Sequence, residues 1–264
     1  MKVGIVGCGF VGSNMRKLFA QAHEVVVYDP RLSGDESHQG NIRGAEITFV
    51  CVPTPMAQDG SCDISLVNLS VGWIESPIIV LKSTVPPGTT DMLSESFRKN
   101  VHFSPEYMGE GKQFVAPWKY PDPRDARSHP FVICGGDSAS IVLDLYSTVM
   151  ANDAAYIACT NVEAELAKYM ENSFLATKVA FCYEFAKIAE AFNVDFKKVR
   201  ELWLHDPRMG RSHTMVLPNQ NGFNGKCLPK DLSAIVEAAT QNGFDPELLR
   251  AVREINAKRM GAAL

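Results

Sequence analysis

None of the seven cysteines, Cys8, Cys51, Cys62, Cys134, Cys159, Cys182 and Cys227, stands in a CxxC pair, and their number is odd. That argues against a zinc site or a disulfide framework, so no bound metal is expected. Scattered single thiols fit a reducing cytoplasm, the expected location. No apolar run approaches the roughly 20 residues that span a bilayer, so no membrane association is expected. The first residues, "MKVGIVGCGFVGS", hold too much glycine and too short an apolar run for a secretory leader. Positive charge is not in excess either: 26 Lys and Arg stand against 30 Asp and Glu, a formal charge of −4. No basic face is implied, and no nucleic-acid partner is expected. Internal repeats and low-complexity tracts are missing. What remains is ordinary for a globular chain, with 46% hydrophobic and 21% charged residues in 264, enough for one large or two modest domains.

The first half carries a recognisable order of elements. "KVGIV", Lys2 to Val6, is a short β-branched run, followed at once by Gly7-Cys8-Gly9-Phe10-Val11-Gly12. "SNMRKLFAQA" then has helical spacing, with Met15, Leu18 and Phe19 on one side. A second strand, "EVVVYD", ends in Asp29. Strand, GxGxxG, helix, strand and acid make a Rossmann unit. Its glycines allow a tight turn, close approach to a pyrophosphate and close helix–strand packing. The helix start faces the phosphates. A carboxylate at position 29 accepts from both ribose hydroxyls and repels a 2′-phosphate, so NAD is expected over NADP. "ITFVCV", "PIIVLKST" and "FVICGG" read as further buried parallel strands, and "VHFSPE" as another ending near Glu106. Between them lie segments that read as helix or loop, such as Ile64–Ile74 and Thr90–Lys99. Thr54, Thr84, Glu106 and Glu110 then lie where such sheets bind ligands, although threonine also punctuates ordinary loops. Phe114 to His129 reads as a long surface loop.

Near residue 160 the pattern changes. Thr160 and Glu163 have capping-box spacing, and from Asn161 to Phe192 there is neither proline nor glycine. Leu166, Met170, Phe174, Thr177, Phe181 and Phe185 trace an apolar stripe of helical period. About 30 residues at about 1.5 Å each give a helix near 45 Å, longer than a small domain needs internally. Its spare apolar face is expected to pair two copies into a homodimer. Lys168 and Asn172, four apart, share a face. The segment after this helix reads mostly as loop as far as Asp231, with helices from Leu232 to Gln241 and from Pro246 onward. The expected fold is therefore α/β: a doubly wound parallel sheet over residues 1–157, then an all-α domain over 158–264 built on one long helix.

In the second half, "GFNGKCLPKD", Gly222 to Asp231, sets a cysteine in a glycine-rich bend between Lys226 and Lys230. A thiol held near positive charge becomes a nucleophile, whereas a buried structural cysteine is inert. The decapeptide alone leaves both open.

Taken in order, "GIVGCGFVG", "VCVPTP", "DGSCDIS", "LKSTVPPGTT", "SPEYMGEG", "EAELAKYMENSFLATKVAFCYE", "DPRMG" and "GFNGKCLPKD" resemble the UDP-glucose/GDP-mannose dehydrogenase family. The resemblance reaches from the first strand into the last helices. It implies a four-electron oxidation of a sugar C6 alcohol to the carboxylate with two NAD. A UDP-sugar is the implied substrate, UDP-glucose being favoured by "SPEYMGEG". By position, Cys227 is implied as nucleophile, Lys168 and Asn172 as the pair binding the reacting oxygen, and Asp231 as the carboxylate beside them. Glu106 is implied as the base for thioester hydrolysis, and Thr84 as a water- and nicotinamide-contacting threonine. Cofactor contacts are implied for Gly7, Gly9, Phe10, Val11, Gly12, Asp29, Thr54, Thr84, Glu110 and Lys230. Substrate contacts are implied for Glu106, Tyr107, Lys168, Asn172, Phe223 and Gly225, with Arg208 reaching a neighbouring subunit.

The sequence departs from the family in three places. It is expected to be a shortened form without the second Rossmann-like domain that grips the nucleotide in relatives. Only about fifteen residues separate Asp29 from Ala45, where relatives have more helix. Asn224 stands where a glycine is usual. A single-step hydroxyacid dehydrogenase and an NAD-binding paralogue without turnover remain the alternative readings.

Overall fold

The protein is described by a computed structural model that covers residues 1–108, 126–217 and 220–261. The chain forms two compact units, Met1–Pro55 with Asp63–Lys168, and Met56–Cys62 with Tyr169–Leu264.

The first unit holds β1 (Lys2–Val6), α1 (Phe10–Phe19), β2 (Glu24–Tyr28), β3 (Ile47–Val50), α2 (Ser65–Trp73), β4 (Ile78–Leu81), α3 (Thr89–Phe97) and β5 (Val101–Phe103). These five strands form one sheet in the order β2-β1-β3-β4-β5, every neighbour parallel. Strand side chains alternate between faces, and both faces here are apolar, so both are covered. Val3, Ile5, Ile47, Phe49 and Val80 pack with Met15, Leu18 and Phe19 of α1. On the opposite face Val6, Val50, Ile79 and Leu81 pack with Val67 and Val71 of α2 and Leu93 of α3. The order reverses between β1 and β3, which opens a crevice beyond the strand ends.

Several boundaries differ from the sequence pattern for local reasons. β5 stops at Phe103: the Ser104 N–H makes a last bond to the Leu81 carbonyl (3.0 Å), and Pro105 has no N–H to continue. The short connection from β2 to β3 is two 3-10 turns, Gly34–Ser37 and Gln39–Ile42, anchored by Asn41 Nδ2 donating to the Val27 carbonyl at 2.7 Å. β6 (Phe131–Gly135) pairs in parallel with β7 (Ala155–Cys159) in a separate two-stranded sheet, with α4 (Ala139–Ser147) between them. The pattern gives no signal for β7, whose side chains are largely exposed. Of the expected surface loop Phe114–His129, residues 114–125 lie outside the described residues, and Ala126–Ser128 form a 3-10 turn.

The second unit is helical: the rest of α5 (Asn161–Ala191), α6 (Phe196–Trp203), α7 (Leu228–Gln241) and α8 (Glu247–Met260). The division between units falls inside α5, whose start belongs to the first. There the capping box closes in both directions: the Thr160 N–H donates to Glu163 Oε2 at 2.8 Å and the Glu163 N–H to Thr160 Oγ1 at 3.2 Å. The core of the second unit takes Ala176, Val179, Ala180 and Tyr183 from α5, with Phe223, Leu232 and Val252. The expected apolar stripe lies elsewhere on α5 and faces outward, Met170 77% and Phe174 62% exposed, Phe181 and Phe185 also exposed. α7 starts at Leu228, four residues before the start the sequence pattern suggests. Pro229 occupies the first turn of that helix, where its missing N–H costs nothing. The segment is therefore helix where loop is expected. No helix among the described residues is long and apolar enough to cross a membrane.

The start of α5 is also fixed by Glu165. Its buried carboxylate accepts from the Gly88 N–H (2.6 Å), the Thr90 N–H (2.9 Å) and Thr90 Oγ1 (2.6 Å), tying α5 to the start of α3. Burial raises its pKa from 4.5 to about 7, against the opposing pull of those donors. An acid whose folded value lies above its unfolded one lends stability that is complete below about 4.5 and is lost as the pH rises through about 7. Urea unfolding across that range should therefore show the wild type losing stability relative to Glu165→Gln as the pH rises. A constant difference would contradict this account.

Candidate functional site

The glycine turn after β1 is shaped by space. Gly7 has φ +87°, and a Cβ there would lie 2.8 Å from the Cys51 carbonyl oxygen. A Cβ on Gly12 would lie 1.9 Å from the Gly7 carbonyl oxygen, so α1 meets the turn with no room for a side chain. Gly9, the N-cap of α1, is open: the nearest atom to a Cβ there is the Arg31 guanidinium, at 3.9 Å. Phe10 and Val11 form the first turn of α1, whose leading N–H groups have no partner within the helix. A cradle closed at Gly7 and Gly12 and open at Gly9 suits a pyrophosphate. Asp29, just past β2, is 3% exposed and accepts from the Cys8 N–H at 2.8 Å, which ties the acid to the turn. Arg31 grips it through its backbone N–H (2.9 Å), Nε (3.0 Å) and one terminal nitrogen (2.6 Å). These bonds hold the Asp29 carboxyl well below the usual carboxylate range.

At the ends of β3 and β4 the two threonine loops meet, Thr54 Oγ1 donating to the Thr84 carbonyl at 3.0 Å. Beyond β5, Glu106 folds back on its own chain: Oε1 accepts from the Tyr107 and Met108 N–H groups, both at 2.8 Å. Its other oxygen lies 3.5 Å from Lys82 Nζ. Lys82 is buried and donates to the Pro105 carbonyl at 3.0 Å, so its charge is paired where an unpaired one would be costly. A small cavity is lined by Lys82, Glu106, Tyr107 and Tyr146. Lys168, buried on α5, sets its ammonium 4.5 Å from the centre of the Tyr107 ring, a cation–π contact. Glu110 lies outside the described residues.

In the second unit, Asn172 and Asp231 are both buried and Asn172 Nδ2 donates to Asp231 Oδ2 at 2.6 Å. Lys230 Nζ lies 2.5 Å from Asp231 Oδ1. Cys227 is the N-cap of α7 and is the exposed one of the seven free cysteines. The Asp231 N–H donates to the Cys227 carbonyl at 2.8 Å, one helical turn on, so carboxylate and thiol belong to the same rigid turn. Phe223 is buried in the core, and Asn256 of α8 clamps its backbone on both sides (2.8 and 3.0 Å). The positive φ of this bend falls on Gly225, at +91°, and not on Asn224. Arg208 is ion-paired with Asp206 on the same loop (2.5 Å), whose next carbonyls, Met209 and Gly210, accept from Lys178 Nζ at 2.8 Å each.

The structure thus joins Asn172, Lys230 and Asp231, joins Lys168 with Tyr107, and joins Thr54 with Thr84. Three residues that motif reading passes over also belong here: Lys82, Arg31 and Asn256. Lys82 was signalled, as a lysine inside an apolar strand end. Arg31 and Asn256 carry no pattern signal.

A parallel sheet with an open glycine cradle and an acid tied to it defines a dinucleotide-binding protein. Known proteins agree and narrow the class. The NAD-binding domain of the UDP-glucose/GDP-mannose dehydrogenase family matches residues 26–119, and the central domain of that family matches residues 162–258. The chain belongs to this family, and its cofactor is NAD. UDP-glucose 6-dehydrogenase of Pseudomonas aeruginosa is 29% identical over 98% of this chain and 66% of that protein. The enzyme of the same name from Rickettsia bellii is 32% identical over 94% of this chain and 56% of that protein. The solved UDP-glucose dehydrogenase of Pyrobaculum islandicum superposes with a TM-score of 0.82 at 28% identity, over 98% of this chain and 71% of that one. The chain spans between about half and two thirds of the length of these curated relatives.

The cradle separates two glycine roles. Gly12→Ala should lower thermal stability and abolish NAD binding, because its methyl group meets backbone. Gly9→Ala should keep the wild-type melting temperature and weaken NAD roughly tenfold or more by calorimetry, since it fills only ligand space. Equal loss of stability in both would contradict the assignment.

Proposed function

We propose that this protein is an NAD-dependent nucleotide-sugar 6-dehydrogenase that oxidises a UDP-hexose, UDP-glucose first among them, to the uronate. The observation that carries this is the buried Asn172–Asp231 pair one helical turn from an exposed cysteine at the start of α7. Its support is the family membership and the names of the relatives.

Bound NAD supplies the hydride acceptor for each of the two oxidations. The chain's own residues handle protons, oxygen and carbon. Lys168 in its uncharged amine form, which becomes the ammonium as it does so, or a water held by Asp231, takes the C6 hydroxyl proton as the alcohol becomes an aldehyde. The Cys227 thiolate adds to the aldehyde carbon, forming a C–S bond and a tetrahedral oxyanion that Lys168 and the Asn172 amide stabilise. Removing one such donor typically costs on the order of 10²–10³ in rate. Loss of the second hydride leaves a thioester. Water activated by Glu106 or Asp231 cleaves the C–S bond, releases the acid and returns the thiolate. The N–H groups and dipole at the start of α7 favour negative charge on that sulfur. Thr54, Thr84 and Lys230 serve the coenzyme. Tyr107 and Gly225 contact the sugar, Phe223 seats the bend, and Arg208 acts toward a neighbouring subunit.

Pairing of two copies through α5 is part of the same proposal. Its support is the outward row of Met170, Phe174, Phe181 and Phe185, apolar surface that a single chain leaves in water. Phe174→Glu with Phe181→Glu should halve the mass seen by sedimentation, and an unchanged mass would rule this pairing out.

With UDP-glucose and excess NAD, the wild type should form about two NADH per sugar, and Cys227→Ala should form no acid. Undiminished acid from that variant would remove the thiol from the mechanism. No NADH from any of several UDP- and GDP-sugars would remove the function.

A further inference from the structure

β4 runs into a lysine at its carboxyl end. Lys82 is 5% exposed, donates to the Pro105 carbonyl at 3.0 Å and to Ser104 Oγ at 3.5 Å, and sets its Nζ 3.5 Å from Glu106 Oε2. One side chain thus spans three successive residues beyond β5. A neutral donor would serve the carbonyl and the hydroxyl, and a charge taken out of water is costly without a counter-charge. The carboxylate is the partner that answers the charge. Burial opposes the Lys82 ammonium, but the Tyr146 oxygen and the Glu106 carboxylate beside it outweigh burial and hold it above the usual lysine range. Three of the surrounding groups are neutral near pH 7. Burial pushes the Tyr146 hydroxyl on α4 and the Cys134 thiol of β6 up to about 12 each, and raises the Cys51 thiol beyond β3. Lys168 faces the Tyr107 ring from α5. His129 lines the same cavity and carries an imidazole, the side chain that ordinarily changes charge between about pH 5 and 8.

We infer, on the reading above in which Glu106 activates the water, that Lys82 is a positioning residue for release of the acid: it is the fixed counter-charge that restores Glu106 to its ionised form in each cycle. In that step water gives one proton to Glu106 and its hydroxyl to the acyl carbon, and the electron pair of the broken C–S bond stays on sulfur. Only an ionised carboxylate can take the proton. The proton it takes leaves a buried cation without its partner, so the pair favours giving that proton up again. The Glu106 side chain is 14% exposed, which opens a way for the proton to solvent. The aim of the carboxylate is set by the same contacts: the Tyr107 and Met108 N–H groups hold one oxygen and Lys82 faces the other.

Two variants separate charge from hydrogen bonding: Lys82→Met removes both, and Lys82→Gln keeps a neutral donor. The first readout needs no turnover. Carbon NMR of protein labelled at its glutamate carboxyls, with the Glu106 signal assigned by its loss in Glu106→Gln, should show Glu106 titrating at higher pH in both variants than in the wild type. His129→Gln should leave that difference in place. An unmoved titration would overturn the inference whatever the enzyme does, and so would failure of both variants to fold, which would make Lys82 a folding residue. The second readout is release of the acid from the Cys227 thioester in a single turnover. The variants should slow it roughly tenfold at about pH 5.5 and less than about threefold at about pH 8.5, because alkali ionises the carboxyl without help. In a Glu106→Gln background the same Lys82 changes should do nothing further. Equal slowing at both pH values, or slowing that persists without Glu106, would contradict action through Glu106. A moved titration with release unaffected would also contradict it, and would leave the water to Asp231. No NADH from any sugar nucleotide would remove the proposed function, and the carboxyl titration would still decide whether Lys82 sets the charge of Glu106.

Discussion

A carboxylate taken out of water has to be paired, and Asp231 is paired with Asn172 on one oxygen and Lys230 on the other. That requirement organises the second unit. It fixes the start of α7 against the middle of α5, and because Asp231 lies one turn past Cys227, it fixes the thiol too. The bend before the thiol is held from behind: Asn256 clamps Phe223, and a Cβ on Gly222 would lie 2.2 Å from Asn256 Oδ1. Arg253 of the same helix joins Glu237 of α7 at 2.6 Å. The exposed sulfur therefore stands on a rigid support, as a nucleophile needs and a surface thiol in a loose loop lacks.

In the first unit the corresponding constraint is steric. Gly12 and Gly7 must lack side chains for α1 to close on the sheet, and that closure leaves a cradle of helix N–H groups beside Asp29. The shape of the cradle and the packing of α1 rest on the same atoms, so the cradle is as stable as the sheet that carries it. The buried Lys82–Glu106 contact belongs to this frame as well. It keeps a carboxylate oxygen, 14% exposed at the side chain, in a defined place at the end of β5.

Much of this is legible in the residues. The GxGxxG turn followed by Asp29 declares the cradle, because few other uses require small residues at those three positions. Alternation is weak in strands apolar on both faces, yet runs such as Ile78–Leu81 are short and bounded enough to be read. The proline-free stretch from Asn161 marks α5 with both ends close to where the residues place them. The cysteine turn is harder. Pro229 reads as a loop signal, although it also fits a first helical turn, and only the structure shows that Cys227 caps a helix. Partners distant in sequence leave no local trace. Nothing near Asn256 announces Phe223, and nothing in "YDPRL" says that the arginine turns back onto the acid.

The central claim is that the Cys227 sulfur is where the sugar reacts. The most direct measurement is the rate at which iodoacetamide alkylates Cys227, followed by mass spectrometry of the peptide, with and without saturating UDP-glucose. The account predicts that the sugar nucleotide slows alkylation of Cys227 severalfold and leaves the other thiols as they were. An unchanged rate at Cys227, with UDP-glucose shown to be bound, would contradict it.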